Sequence, residues 1–418
     1  MKLKYNIDDR LPIGQALVYA MQWFILSVAV ISTSVFVAQG EPAARLFFAQ
    51  KLFAVIGVTG VIQVLLGHKM PLVVGPASVL LVGVLSSLGA NAPVGAIYSS
   101  IAIGGALIVL LSFGGLMNRV RRLFTPRIVV VILMLIAFTL SPVIKNLIFP
   151  ERADAQQHLF GLIFTIVGVV GMVILNRTLK GVAKSLVVPI ALVIGSAVYY
   201  ALFPMKEGVE SVGAFAGQFF NDFSFDWGLL IAFIICYIAL LINDIGSIES
   251  LGVMLGVDDM NSRLKRGVRI TGAMNIVAGS MGVLGPVNYS MSPGVIASTG
   301  CASRWALLPA TLLLVICSLF PDVIFILTSI PNQVIGVILL FLMGTQLSAG
   351  FEMAASTKSI GSFSGALTIS LPIMVALLFQ LMPRGIVPSV IEPLVGNGFA
   401  MGVITVLVME HLINRNKE

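Results

Sequence analysis

The stretch 241–252 (LINDIGSIESLG) places an unusual set of polar groups inside an apolar segment. Read as a helix, Asn243, Ser247 and Ser250 fall on one stripe with Gly246 beside it, and Asp244 and Glu249 flank that stripe on opposite sides. An ionisable group within a membrane span is expensive and usually faces a cavity or a partner. A carboxylate in such a place suits a proton carrier, so Asp244 and Glu249 are the candidates for that role. Plainer roles are open to both. Glu249 can sit solvated at the cytoplasmic mouth or pair with Arg263 or Arg266, and Asp244 can make a structural bond to a neighbouring helix. Gly246 would let a planar ligand or another backbone approach.

Two further stretches supply polar groups by interrupting helices: 70–78 (MPLVVGPAS) and 283–294 (VLGPVNYSMSPG). Proline removes a backbone donor and clashes with the preceding turn, so neither reads as a continuous helix. In lipid, broken backbone is tolerated only where protein buries it or where it lines a cavity. Paired interruptions in corresponding halves of a chain point to a transporter's midplane site. The half-helix ends would present free N–H groups and a positive dipole end to a polar, flat, partly anionic substrate. Ala77 and Ser78 from the first break, and Asn288, Tyr289, Ser290 and Ser292 from the second, are the candidate contacts, with Tyr289 able to stack on a ring. Gln22, in the first apolar segment, is a further candidate for the same cavity, with helix packing as its alternative.

The elements that must position these groups are membrane spans. The chain has 418 residues, 58% hydrophobic and 10% charged, with a mean hydropathy of +1.04, which no soluble domain of this size shows. Residues 1–10 are polar with no small-residue cleavage site before the first span, so no cleaved signal peptide is expected. Cys236, Cys301 and Cys317 lie apart without metal spacing and read as small core residues. The histidines are equally scattered, and no metal or other cofactor is expected. No His-Glu-x-x-His, paired-Asp motif or nucleophile–base pair supports an enzyme.

Of the 25 Lys and Arg residues, 19 fall in alternate loops, around positions 2–10, 69, 119–127, 177–184, 263–269, 304, 358 and 415–417. This is the positive-inside bias rather than a nucleic-acid footprint, and it puts both termini in the cytoplasm. With roughly 20 apolar residues per span, about fourteen segments are expected, near 11–37, 46–66, 71–88, 95–116, 128–149, 160–175, 186–203, 227–250, 268–283, 286–298, 305–320, 334–350, 365–381 and 395–412. An interfacial helix is expected in the external stretch 207–222. Breaks in the third and tenth segments fit two seven-segment repeats, and the odd offset inverts the second relative to the first. The run from Gly67 to Gly75 and Pro76 weakly matches that from Gly279 to Gly285 and Pro286.

These residues resemble the nucleobase–ascorbate transporter family, also called nucleobase–cation symporter-2, over nearly the whole chain. The strongest segment runs from Arg266 through Gly272, Gly279, Gly282 and Pro286 to 294–300 (GVIASTG) and Arg304. Gln63, Gly67, Lys69, Pro71 and Gly75 match the pattern around the third segment, Gln22 matches a glutamine of the first, and 330–336 (IPNQVIG) resembles the start of the twelfth. The resemblance implies an all-helical membrane protein with a seven-plus-seven inverted repeat and short antiparallel strands in the third and tenth segments. It implies a core domain (11–118 and 226–320) and a gate domain (119–205 and 321–413). It also implies homodimers and elevator-type symport of a purine or pyrimidine with H⁺ or Na⁺ across the inner membrane. The sequence departs from the family at Met291 and Ser292, where a glutamate or glutamine and an asparagine are usual, and at Trp23, where a histidine is usual. Two alignments to the eighth-segment motif are open. Asn243 to Ser247 fits its depth and its distance to Arg266, with Asp244 supplying the carboxylate; Glu249 to Val253 keeps the glutamate but shortens the loop. A carrier of a small anion (sulfate, bicarbonate or dicarboxylate) with the same fold is the alternative function.

Overall fold

The computed structural model describes residues 3–38, 40–113, 125–150, 154–179, 186–203, 217–289, 292–383, 385–388 and 392–414. The first half holds α1 (Ile13–Val35), α2 (Pro42–Leu65), β1 (Val74–Pro76), α3 (Ser78–Gly89), α4 (Val94–Leu111), α5 (Pro126–Thr139), α6 (Ser141–Ile148), α7 (Ala155–Thr178) and α8 (Val187–Leu202). The second holds α9 (Trp227–Leu255), α10 (Met260–Ser280), β2 (Pro286–Asn288), α11 (Ser292–Thr299), α12 (Arg304–Ser318), α13 (Pro321–Thr328), α14 (Asn332–Ser356), α15 (Phe363–Gln380), α16 (Glu392–Val395) and α17 (Gly398–Val408), the last continued by a π turn at Met409–Ile413. Among the described residues eight helices are long and apolar enough to cross a membrane, with α5 and α6 taken together as one of 23 residues, or nine if α12 and α13, bent by 110°, also count as one. The shorter apolar helices α3, α8 and α17, the polar-faced α10 and the β2–α11 unit fall at the remaining expected segments, in the expected order.

The third and tenth segments are built alike. Each starts as a three-residue strand and continues as a half-helix, and the strands pair antiparallel with Val74 opposite Asn288, Gly75 opposite Val287 and Pro76 opposite Pro286. Antiparallel strands send the two half-helices away from one junction in opposite directions, as an inverted repeat requires. Pro76 and Pro286 face each other at the end of the ladder, where neither has an N–H to give.

The helices that carry the junction approach one another through small residues. A Cβ on Gly105 would stand 2.6 Å from the Ile276 nitrogen, and one on Gly279 would stand 2.3 Å from the Ala102 nitrogen, so α4 and α10 meet backbone to backbone. Close approach of this kind is how spanning helices associate where lipid is as apolar as the side chains. The α12 helix lies along both α1 and α2, while α14 packs on α5, α6, α7 and α8, and α15 on α5 and α17. The face of α7 is the least covered, with 11% of its apolar window buried.

Several boundaries differ from expectation. α9 runs beyond residue 250 to Leu255, with 29 residues or roughly 43 Å of helix. Asp226 caps its start by accepting from the Leu229 N–H at 2.8 Å, and Gly256, at φ 64°, ends it. α10 starts at Met260 rather than 268, and Arg263 and Arg266 in its first turns are held by the backbone carbonyls of residues 67–69. The fifth segment breaks after Thr139, ahead of Pro142. Of the external stretch expected to hold an interfacial helix, residues 217–226 are irregular, and the part before 217 lies outside the described residues. An N-terminal arm pairs with the chain just after α11: the Lys4 N–H donates to the Gly300 carbonyl at 2.7 Å, the Ala302 N–H to the Tyr5 carbonyl at 2.9 Å, and Arg304 Nε meets Asp8 Oδ1 at 2.7 Å.

Candidate functional site

The junction of β1 and β2 is fully buried and tied from both sides. The Ala77 N–H donates to the Gly285 carbonyl and the Tyr289 N–H to the Val73 carbonyl, each at 2.9 Å. The Ser292 hydroxyl accepts from the Val73 N–H at 2.9 Å. Tyr289 crosses the strand pair and donates its hydroxyl to the Pro76 carbonyl at 2.6 Å. Its ring lies where Gly75 carries no side chain: a Cβ there would stand 2.6 Å from the ring and 2.9 Å from Val30. Asn275 on α10 donates to the Pro286 carbonyl at 2.8 Å and accepts from the Tyr237 hydroxyl at 2.8 Å.

Behind the strands lies a buried polar chain. Asp244 Oδ1 accepts from the Asn288 backbone N–H at 3.0 Å and from Asn288 Nδ2 at 2.9 Å. Asn288 Oδ1 faces His68 Nε2 at 3.1 Å. His68 Nδ1 accepts from the Met70 N–H at 3.0 Å, which leaves the ring proton on Nε2 and makes His68 the donor to Asn288. Gln63 Nε2 donates to the Gly267 carbonyl at 2.9 Å and to Thr271 Oγ1 at 3.1 Å. Asp244 Oδ2, Ser247 Oγ and Gln63 Oε1 are buried and meet no partner at full hydrogen-bonding geometry among the described residues, and the Thr271 hydroxyl is the neighbouring side chain placed to donate to the Asp244 carboxylate. Residues at i and i+3 on a helix are neighbours, and Asp244 and Ser247 are both buried, one turn apart on α9.

In front of the strands a cavity of about 270 Å³ separates the junction from α14. Tyr289 and Ser78 line it on the junction side, Thr33 and Ser34 from α1, and Thr345 and Gln346 from α14. Ligand pockets combine apolar walls with a few placed polar groups in this manner.

The sequence candidates therefore divide. Ser78 and Tyr289 face the cavity; Asp244, Ser247, Asn288 and Ser292 lie buried behind or within the junction; Ala77 is buried in its backbone pairing. Asn243 and Glu249 are half-buried elsewhere on α9. Arg263 and Arg266 both meet Asp259. Ser250 and Gly246 are exposed, with no atom within 4 Å of a Cβ built on Gly246, so the expected polar stripe does not share one environment and no backbone approaches there. Gln22 is half-buried, about two turns before the cavity-lining Val30. Ser290 lies outside the described residues. His68, Thr271, Asn275 and Tyr237 at the junction, and Thr33, Ser34, Thr345 and Gln346 at the cavity, are polar residues that the sequence pattern did not point to. The one signal for His68 was its place between Gly67 and Pro71, at the edge of the first interruption.

The chain matches known transport proteins throughout. The Permease family model Xan_ur_permease covers residues 14–385. The xanthine permease XanP of Escherichia coli is 24% identical over 452 residues, spanning 100% of this chain and 96% of XanP. The uric acid permease PucJ of Bacillus subtilis is 24% identical over 370 residues, spanning 84% of this chain and 81% of PucJ. Among solved structures, the transmembrane domain of the cyanobacterial bicarbonate transporter BicA matches with a TM-score of 0.65 at 15% identity, over 97% of this chain and 99% of that domain. The murine anion transporter Slc26a9 matches with a TM-score of 0.64 at 14% identity, over 99% of this chain and 70% of its own. These likenesses show a shared seven-plus-seven inverted-repeat fold. A strand-paired junction inside a multi-pass membrane protein, matched along nearly its whole length, identifies the chain as a member of the Xan_ur_permease family of permeases.

Proposed function

We propose that the protein is an ion-coupled symporter of a nucleobase, a purine or pyrimidine such as xanthine or uracil, that works by elevator-type alternating access. The observation that carries this reading is the junction itself. Its front face, Tyr289 and Ser78, looks into a cavity; its back face binds a carboxylate through one oxygen and leaves the other unsatisfied. A base in the cavity would lie against the Tyr289 ring, whose orientation is fixed by the bond to Pro76, with hydroxyl and amide groups at its edges. Asp244 Oδ2 would take the coupling cation, H⁺ or Na⁺, with the buried Ser247 about one helical turn further along α9. Glu249, roughly 7.5 Å further along the same helix, is the alternative carboxylate. The permease relatives support the substrate class.

The core unit is 11–118 with 226–320 and the gate unit 119–205 with 321–413, a division supported by α12 lying along α1 and α2 while α14 packs on α5 to α8. The cavity falls between the two. Both termini lie in the cytoplasm, the protein sits in the inner membrane, and it assembles as a homodimer without nucleic acid.

A ligand that binds the native state stabilises it by RT ln(1 + [L]/Kd), about 2.7 kcal/mol at a hundredfold excess over Kd. Thermal unfolding of the purified protein with nucleobases should rise with at least one base and stay unchanged with sulfate, bicarbonate or a dicarboxylate. Stabilisation by an inorganic anion and by no base would favour the anion-carrier alternative.

A further inference from the structure

We infer that His68 is a positioning residue for the cation site: by fixing the amide orientation of Asn288 it decides which atom of Asn288 faces Asp244. The inference rests on the proposed coupling role of Asp244. An asparagine amide presents an acceptor on one side and a donor on the other. Turned one way, Asn288 donates to Asp244; turned the other, it sets a carbonyl oxygen against a carboxylate oxygen. His68 removes the choice. The Met70 N–H occupies Nδ1 at 3.0 Å, the proton is therefore on Nε2, and Nε2 meets Asn288 Oδ1 at 3.1 Å. Asn288 Nδ2 is then left for Asp244 Oδ1 at 2.9 Å, with Thr271 Oγ1 at 3.5 Å as a second, weaker acceptor. With Oδ1 saturated by two donors from Asn288, Oδ2 is the oxygen left for a cation.

The turn that carries His68 is held closely. His68 is fully buried, Gly267 of α10 leaves the room its Cβ needs, since a Cβ there would stand 3.3 Å away, and its carbonyl accepts from Arg263 at 3.0 Å. Arg263 is the charged group that meets this turn from α10 along with Arg266, which donates to the Gly67 carbonyl at 3.2 Å. From α9 the facing ionisable group is Asp244. β1, β2 and the described part of α11 bring none.

Two substitutions separate the two ring nitrogens. His68→Gln keeps an N–H donor at the reach of Nε2 and so keeps the contact to Asn288. His68→Asn keeps a polar atom near Nδ1 for the Met70 N–H but is too short to reach Asn288. The readout needs no substrate: thermal unfolding of the detergent-purified full chain is followed across Na⁺ concentration at fixed pH, and across pH at fixed Na⁺. Wild type should show a cation-dependent rise in unfolding temperature that disappears in Asp244→Asn. His68→Gln should keep the wild-type midpoint, and His68→Asn should move it by roughly tenfold in cation concentration, the size of one hydrogen bond to a charged group. In an Asn288→Ser background, which has no amide to orient, the two substitutions should no longer differ, because residues acting through one another are non-additive. The inference is overturned if His68→Asn keeps the wild-type midpoint, if both variants shift it equally, if their difference persists without Asn288, or if wild type shows no cation dependence. Nucleobase stabilisation is read separately, so its absence counts against the substrate and not against His68.

Discussion

Asp244 and Asn288 hold each other by two bonds through a single carboxylate oxygen, and Tyr289 turns the next side chain to the opposite face of the strand. Alternation along a strand sends successive side chains to opposite faces, so residues 288 and 289 divide the work: one faces the buried carboxylate and one walls the cavity. Gly75 makes that wall possible. Gly75→Val puts methyl groups where the Tyr289 ring and Val30 already lie. Such overpacking typically costs about 1–3 kcal/mol, and the expected result is a folded protein with a lower unfolding temperature and weaker base binding, read by thermal shift with and without ligand. The candidates at this scale were partly legible. Asp244, Asn288 and Tyr289 stand out because polar groups beside Gly-Pro in an apolar chain need partners. The facing of each did not follow, since helical phase places Asp244 off the 243–247–250 stripe without saying which side is packed. His68 was hidden because a histidine three residues from Pro71 carries no spacing motif of its own.

The turn between α2 and β1 shows how the elements hold these residues. Lys69 adopts φ 55°, and Arg263 Nη1 donates to both the His68 and Lys69 carbonyls at 3.0 Å. Arg263 in turn pairs with Asp259 at the start of α10. That hydrogen bond, ahead of the guanidinium charges of Arg263 and Arg266, holds the Asp259 carboxyl below the usual carboxylate range. A carboxylate whose acidity is raised by folding adds stability above its ordinary range and loses it as pH falls through the folded value. Arg263→Ala should therefore lower stability at neutral pH, by roughly 1–3 kcal/mol for hydrogen bonds lost from buried carbonyls. It should also flatten the acid-side decline below about pH 4. Thermal unfolding against pH for the two proteins checks both. Element positions were largely legible because each span is an apolar run bounded by charge, Gly or Pro. The start of α10 was not, because charged residues tied to backbone carbonyls extend the helix beyond its apolar part. The break after Thr139 and the bend between α12 and α13 each come just ahead of a proline, Pro142 and Pro321, so their places were legible while the 110° angle of the second was not.

At the scale of the molecule, two inverted units place their interruptions against each other, so one buried junction has a cavity on one side and a buried carboxylate on the other. Transport would then require both sides to be occupied in step, and loss of the carboxylate should break that link while leaving the fold. Asn keeps the size of Asp and an acceptor oxygen, so Asp244→Asn is the sparing substitution. The most direct test is uptake of a radiolabelled nucleobase into proteoliposomes holding the purified protein, with an inward H⁺ or Na⁺ gradient and without one. Wild type should accumulate base above equilibrium only with the gradient, and Asp244→Asn should still bind base but lose gradient-driven accumulation by at least tenfold. Equal accumulation by Asp244→Asn and wild type would contradict the coupling of this junction to an ion, and so would wild-type accumulation indifferent to either gradient.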